Sequence, residues 1–563
     1  MPAPLYDRRV SEPALTVEAR IPASLEAAIA EKLDRASGAA VAERLRKGDA
    51  TLWGPAETAE IADRLGWLTT AERMLEHVDF FTEFADKVRA DGCSDVVLLG
   101  MGGSSLAPEV LRRSFGSQPG RPRLHVLDST DAATVRAVAD SVEPKRTLFL
   151  VSSKSGGTIE PLSLFAHFWS LVADGQNFAA ITDPGSGLEK LAHEHGFREV
   201  FAGDPDIGGR YSALSPFGVV PAALIGVDIR ALLEGANGAW ETMLRDASPA
   251  PAAPTRAQQS AGVWMGSALS ALAQAGRDKL TFVISDSLPG LGLWLEQLVA
   301  ESTGKHSTGI LPVAEEPLGE PEDYGGDRVF AYLPDAHAPD PDLDARVGRL
   351  AAAGHPLLTI PTRGPGDLGR VFMLSELAVA VAGWGLEINP FDQPNVQQAK
   401  DATKHVLAEY EANHELPHAA SADDAALKSL LGAAAPPDYV AIMGYVQPSA
   451  EFDAAIAELR KAVRARGKAT TTFGYGPRFL HSTGQFHKGG PRTGRFLQLL
   501  HDGPDDVDIP GAAYTFTTLK NAEAIGDFDT LRELGLPAER VRLAGDDAAG
   551  ALRDLVKMIE EAL

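Results

Sequence analysis

Apolar and polar positions change their rhythm along this chain near Asp95. Before it, apolar residues recur at helical spacing over 24–35, 56–65 and 70–88, which predicts helices and no strand. After it, short apolar runs at 96–99, 124–127, 148–151 and 179–181 are each followed by a helical stretch. That alternation predicts βαβ units and a parallel sheet. A second series has strand runs at 280–284, 329–333 and 357–360, with helices at 291–303, 345–353 and 374–383. A third has strands at 439–443, 469–472 and 496–500 and helices at 451–465 and 547–561. Small-residue and proline stretches at 247–254 and 432–437 separate the series. The expected class is α/β, with a helical segment at 1–92, α/β domains at 93–246 and 255–432, and a smaller α/β unit at 437–563.

Composition narrows this picture slightly. The formal net charge of −25 is spread along the 563 residues rather than gathered in a tail. It argues against nucleic acid or an anionic membrane as partner. No apolar run looks long enough to span a bilayer, and no basic-then-apolar leader pattern opens the chain. The lone cysteine, Cys93, forbids an internal disulfide and fits a cytoplasmic location.

Chemistry concentrates in five segments. Two strand runs empty into turns crowded with glycine and hydroxyls: Gly100-Met101-Gly102-Gly103-Ser104-Ser105 and Ser152-Ser153-Lys154-Ser155-Gly156-Gly157-Thr158. A strand, a glycine-rich turn and a helix N-terminus form an anion site, because the first helical N–H groups are unpaired and the dipole favours negative charge. Ser153, Ser155 and Thr158 suit a phosphate monoester, with Lys154 either beside it or solvated. A dinucleotide site is the alternative for the first turn, but its third glycine is replaced by Ser105. Arg210 follows Gly208-Gly209 and is positioned to offset an oxyanion. Gln297 and Glu301 are four apart on one helical face, and a carboxylate among apolar neighbours can serve as a base. Gln393 and Lys400, seven apart, share a face after Asn389-Pro390-Phe391-Asp392. The segment 480–490 holds His481 and His487, either of which could exchange protons near neutrality. For each single segment an ordinary structural role remains open. No metal site stands out; the histidines at 193, 195, 414 and 418 read as surface.

Together these segments resemble the phosphoglucose isomerase family, which is built from two sugar-isomerase (SIS) domains with doubly wound parallel sheets. The resemblance is closest to the isomerase half of bacterial proteins that fuse it to transaldolase, and it extends from about Asp95 onward. Gly209-Arg210-Tyr211-Ser212-Ala213-Leu214-Ser215 and the run from Gln297 to Lys305 carry it most strongly. No transaldolase barrel fits the chain, so no aldol transfer is expected.

The resemblance implies interconversion of glucose 6-phosphate and fructose 6-phosphate through a cis-enediol, without cofactor or metal. It implies that Ser104, Ser153, Ser155 and Thr158 hold the phosphate beside Lys154. Gly103 and Gly209 would line the sugar, and Gln297 and Gln393 would hydrogen-bond it. Arg210 would stabilise the enediolate, Glu301 would move the proton between C2 and C1, and Lys400 would assist ring opening. The family's ring-opening histidine falls between the base and the lysine, yet 317–333 contains none. His481-Ser482-Thr483-Gly484-Gln485, after Lys400, is the best match. Because that histidine comes from a neighbouring subunit in the family, a homodimer is expected. The alternatives are an isomerase that also takes mannose 6-phosphate, a non-catalytic sugar-phosphate sensor, and a metal-dependent isomerase.

Overall fold

The computed structural model describes residues 15–245, 260–417 and 420–562, so the stretch 247–254 and His418 lie outside the described residues. Within it, apolar runs bounded by turns become three separate sheets. The first contains β2 (Asp95–Gly100), β3 (Arg123–Leu127), β4 (Thr147–Ser152), β5 (Phe178–Thr182) and β6 (Glu199–Ala202), in the order β3-β2-β4-β5-β6. All its pairings are parallel. Strands β2 and β4 are buried from end to end, which explains their apolar runs.

The second sheet runs β1-β10-β9-β7-β8, from β7 (Lys279–Ile284), β8 (Leu311–Val313), β9 (Arg328–Leu333), β10 (Leu357–Thr359) and the N-terminal β1 (Glu18–Arg20). Strand β1 corrects the expectation of no strand before Asp95. It pairs antiparallel with β10 at the sheet edge, and its three largely exposed residues give no apolar run to read. The helix expected at 56–65 is also absent; the segment forms turns around Glu60, whose φ of 60° interrupts a right-handed helix. The third sheet, order β12-β11-β13-β14, contains β11 (Tyr439–Tyr445), β12 (Thr470–Tyr475), β13 (Gly494–Leu500) and β14 (Ala538–Arg542), all parallel. The short β6, β8 and β14 have no long apolar run and went unread in the sequence.

Helices fill the space between the sheets. Gly364–Leu386 is long and apolar enough, by length and composition, to cross a bilayer, which corrects the expectation that no such run exists. It is 94% buried inside the protein, where it packs on the helices Ala261–Gln274 and Ile229–Arg245. A helix buried on nearly every face, as here, belongs to a large core.

Three consequences of this arrangement position the site. In the first sheet the chain leaves β2 in one direction to β3 and crosses back to place β4 on β2's other side. The crevice at such a switch point lies beyond the C-terminal strand ends, and the two glycine-rich turns both open there, with Gly100 paired to Ser152. The buried helix Leu291–Thr303 then packs against the turn after β2. Finally, the helix Phe516–Glu533 of the C-terminal portion lies along the helix Pro394–Asn413. That contact brings residues after 437 to the crevice.

Candidate active site

Starting with the turn after β4, the helix Ile159–Val172 begins at Thr158, whose side chain makes no cap to its own helix. The Thr158 hydroxyl instead lies 3.4 Å from the hydroxyls of both Ser153 and Ser155. Three hydroxyls thus gather at the positive end of a 14-residue helix. Gly156 has a φ of 65°, and a Cβ there would meet the Leu188 backbone nitrogen at 2.6 Å, so only glycine allows this turn.

Opposite the cradle stands the helix Pro394–Asn413. Ser155, Gly157 and Thr158 share a cavity of about 260 Å³ with Lys400 and Lys404 of that helix and with His481. Gln485, four residues beyond His481, pins the helix start: its Oε1 accepts from Asn395 N at 2.9 Å, and its Nε2 donates to the Gly304 carbonyl at 3.0 Å. Sequence reading did not identify Lys404, although it lies one turn after Lys400.

His481 ends a short helical turn, Arg478–His481, that follows β12. Its Nε2 is 2.6 Å from Glu160 Oε1, on the first turn of the helix that carries the cradle. Glu160 was missed in the sequence; its position two residues after Thr158 was the available signal. Burial pushes its carboxyl up, but the charge and hydrogen bond of His481 outweigh that and hold it below the usual carboxylate range. The other candidate, His487, is buried against Tyr439, whose hydroxyl is 3.0 Å from its Nδ1. Burial first, and Lys488 second, push His487 down to about 3, so it stays neutral and takes no part in the site.

Glu301 sits in the last turn of the buried helix Leu291–Thr303. Its Oε2 accepts from Gln297 Nε2 at 3.1 Å, and its Oε1 is 3.3 Å from Arg210 Nη1. Arg210 is almost fully buried and fully engaged. It donates to Ser302 Oγ (2.7 Å), Gln393 Oε1 (2.7 Å) and the carbonyls of Pro390 (2.6 Å) and Asp392 (3.1 Å). Five donors in a rigid plane fix the guanidinium beside the carboxylate. Gln393 in turn donates to Glu60 Oε2 at 3.1 Å. Behind this group Lys305 contacts Asp392 at 2.7 Å and also donates to the Asn389 carbonyl. Burial, then repulsion from Arg210, lower its ammonium to about 7.

The two halves meet at Gln297, whose Nε2 also donates to the His481 carbonyl at 2.8 Å. Close backbone contact allows it. A Cβ on Gly102 would sit 2.8 Å from the His481 carbonyl oxygen, and one on Gly103 would sit 2.1 Å from that of Gly209.

Three expected phosphate ligands are placed differently. Lys154 Nζ is bound to Asp183 Oδ2 (2.5 Å) and the Asp204 carbonyl (2.9 Å), and it does not line the cavity. The half-buried Asp183 carboxylate is the ionic partner that draws the lysine away from the cavity. Ser104 and Ser153 are also buried outside the cavity lining, the Ser104 carbonyl accepting from Ser152 Oγ and Ser153 Oγ lying behind Thr158. Among the described residues, no group of three or more histidine, cysteine or carboxylate side chains is arranged to hold a metal ion.

A family model described as phosphoglucose isomerase matches residues 58–314. A glucose-6-phosphate isomerase from Rubrobacter xylanophilus is 31% identical over 386 residues, covering 59% of this chain and 86% of the relative. The fold is similar to a crystal structure of a hypothetical protein from Thermus thermophilus, with 27% identity and a TM-score of 0.55 over 69% of this chain and all of that one. It is also similar to a glucose-6-phosphate isomerase structure from Chlamydia trachomatis, at 19% identity and a TM-score of 0.59, over 72% of this chain and 90% of that one. The family match begins earlier than Asp95 and stops before Lys400 and His481, so it spans less of the chain than the motifs led us to expect.

Proposed function

The chain belongs to the phosphoglucose isomerase family, and from that premise we propose that it interconverts glucose 6-phosphate and fructose 6-phosphate. One observation carries this reading: Gln297 joins the Arg210–Glu301 pair to His481, which itself lines the cavity of the phosphate cradle. The substrate phosphate occupies the hydroxyls of Ser155 and Thr158, facing Lys400 and Lys404. Fixing that end turns the chemistry at C1 and C2 into an intramolecular problem, where proximity is most effective.

Ring opening comes first. His481 gives a proton to the ring oxygen as the bond from C1 to that oxygen breaks, and the proton released by the C1 hydroxyl as the aldehyde forms returns to His481 through solvent, restoring the imidazole. Lys400 stands across the cavity to assist, and Glu160 orients the imidazole. Glu301 then takes the proton from C2, leaving an enediolate whose negative charge Arg210 offsets. A proton passes from O2 to O1, and Glu301 returns its proton to C1. Atoms and electrons balance within the sugar, so the step consumes nothing.

Glu301→Gln tests the assignment. General-base removal lowers rate by about 10²–10⁴. The expected result in a coupled assay is a kcat loss of that size, with fructose 6-phosphate still bound in calorimetry. Undiminished turnover in E301Q would sink the proposal. Binding without turnover in the wild type would favour a sensor.

A further inference from the structure

Glu523 lies on the helix Phe516–Glu533, outside every motif read from the sequence, yet it lines the same cavity as Glu160, Lys400 and His481. Its side chain is buried. Oε2 accepts from Thr130 Oγ1 at 2.6 Å, whereas buried Oε1 has no hydrogen-bond partner among the described residues. Burying an ionised carboxylate without a cation is far more costly than burying the acid. The cations nearby are paired with other carboxylates, and Lys520 acts on Glu523 more weakly than Glu160 does. Lys520, on its own helix, is 2.9 Å from both Asp131 Oδ2 and Asp502 Oδ1. Lys488 is 2.5 Å from Asp527, also on that helix. The Lys400 charge acts on Glu160, and His481 is bonded to Glu160. Tyr445 of β11 and Tyr514 face it as phenols, both pushed up by burial and by nearby carboxylates. That leaves Glu160, a second buried carboxylate, as its principal charged neighbour.

We propose that Glu523 is a positioning residue for ring opening: a buried carboxylic acid that stays protonated and leaves Glu160 as the one negative charge beneath His481. This inference rests on the isomerase reading above. Two carboxylates confined together do not both ionise. Glu160 is the ionised partner because it holds the imidazole, and Glu523 retains the proton. Burial first, and Glu160 second, hold it well above the ordinary carboxylate range. Were Glu523 to ionise, a second negative charge would oppose both the phosphate dianion and proton release from His481. The C-terminal portion thereby contributes both the proton-transfer histidine and the group that sets its electrostatic surroundings.

The test is the pH profile of kcat/KM in the full-length protein. Glutamine mimics a protonated carboxyl but cannot ionise, so the readout for Glu523→Gln is the position of the alkaline limb rather than the height of the profile. The wild-type alkaline fall, where Glu523 ionises, moves to higher pH in E523Q. Thr130→Val, which removes the hydroxyl favouring the ionised form, moves it in the same direction and covers the case where E523Q folds poorly. A purely structural role moves neither profile, and profiles that superimpose on wild type overturn the inference. Infrared difference spectra at neutral pH, wild type minus E523Q, should retain the carbonyl band of a protonated acid. Its absence refutes a protonated Glu523 without reference to turnover, whereas an inactive wild type refutes the isomerase reading alone.

Discussion

Side-chain type carried the chemistry, but burial decided which side chains could use it. Glu296 and Glu301 share one helix. Glu301 is met by Arg210 and Gln297, whereas Glu296 Oε1 has no hydrogen-bond partner among the described residues. Burial, opposed by Arg460 and reinforced by Glu315, pushes Glu296 up to about 8 from 4.5. The consequence for stability has a definite sign. Below 4.5 both the folded and unfolded chains hold the proton; between 4.5 and about 8 only the folded chain does, so stability falls as pH rises through that window. The slope for one group is about 1.4 kcal/mol per pH unit. Glu296→Gln cannot titrate, so its stability relative to wild type should rise between about pH 5 and about pH 8. Urea melts at both values check this, and an unchanged difference rules it out. Such outcomes are hard to see in a sequence. Arg210, Glu301, Gln297, Gln393, Lys400 and His481 were each named from it, whereas Glu160 and Glu523 were not. A lone glutamate in a helical stretch carries no mark that distinguishes a solvated face from a buried pair.

Elements that are wholly buried were the easiest to read. The apolar runs at 96–99 and 148–151 lie inside β2 and β4, and 291–303 matches the helix Leu291–Thr303. Strands β1, β6, β8 and β14 were missed because they are short or half-exposed, so tertiary pairing rather than an apolar run specifies them. How closely the elements approach depends on glycines at defined points. Gly103 lets the turn after β2 lie directly on the backbone of Gly209, in the loop that carries Arg210. A methyl group on Gly103 would lie 2.1 Å from a backbone oxygen, which no side-chain rotation relieves. Overpacking of this kind costs about 1–3 kcal/mol, and a shift of about 1 Å at a reacting group can cost about 10²-fold in rate. Gly103→Ala should therefore lower both the melting temperature and kcat/KM. Wild-type values for both would show that the two loops are not held together here.

At the scale of the whole molecule, the placement of His481 is the main departure from expectation. The family resemblance implied a histidine from a neighbouring subunit; in this fold His481 reaches Glu160 and Gln297 of its own chain. We therefore expect each chain to carry a complete site. Co-refolding inactive Glu301→Gln with inactive His481→Gln should restore no activity. Recovery in the mixture would mean that the histidine crosses between chains. By itself, the sequence determined that the protein is α/β with parallel sheets, and it marked the glycine–hydroxyl turns and the residue types that we propose carry the chemistry. Those features depend on neighbours a few positions apart, and local periodicity and turn chemistry record them. Only the tertiary structure decided that His481 faces Glu160 rather than solvent, that Lys154 turns to Asp183, and that Glu523 lines the same cavity as Glu160 and His481. These contacts join residues up to several hundred positions apart, and their strength comes from burial, which no local stretch of sequence encodes.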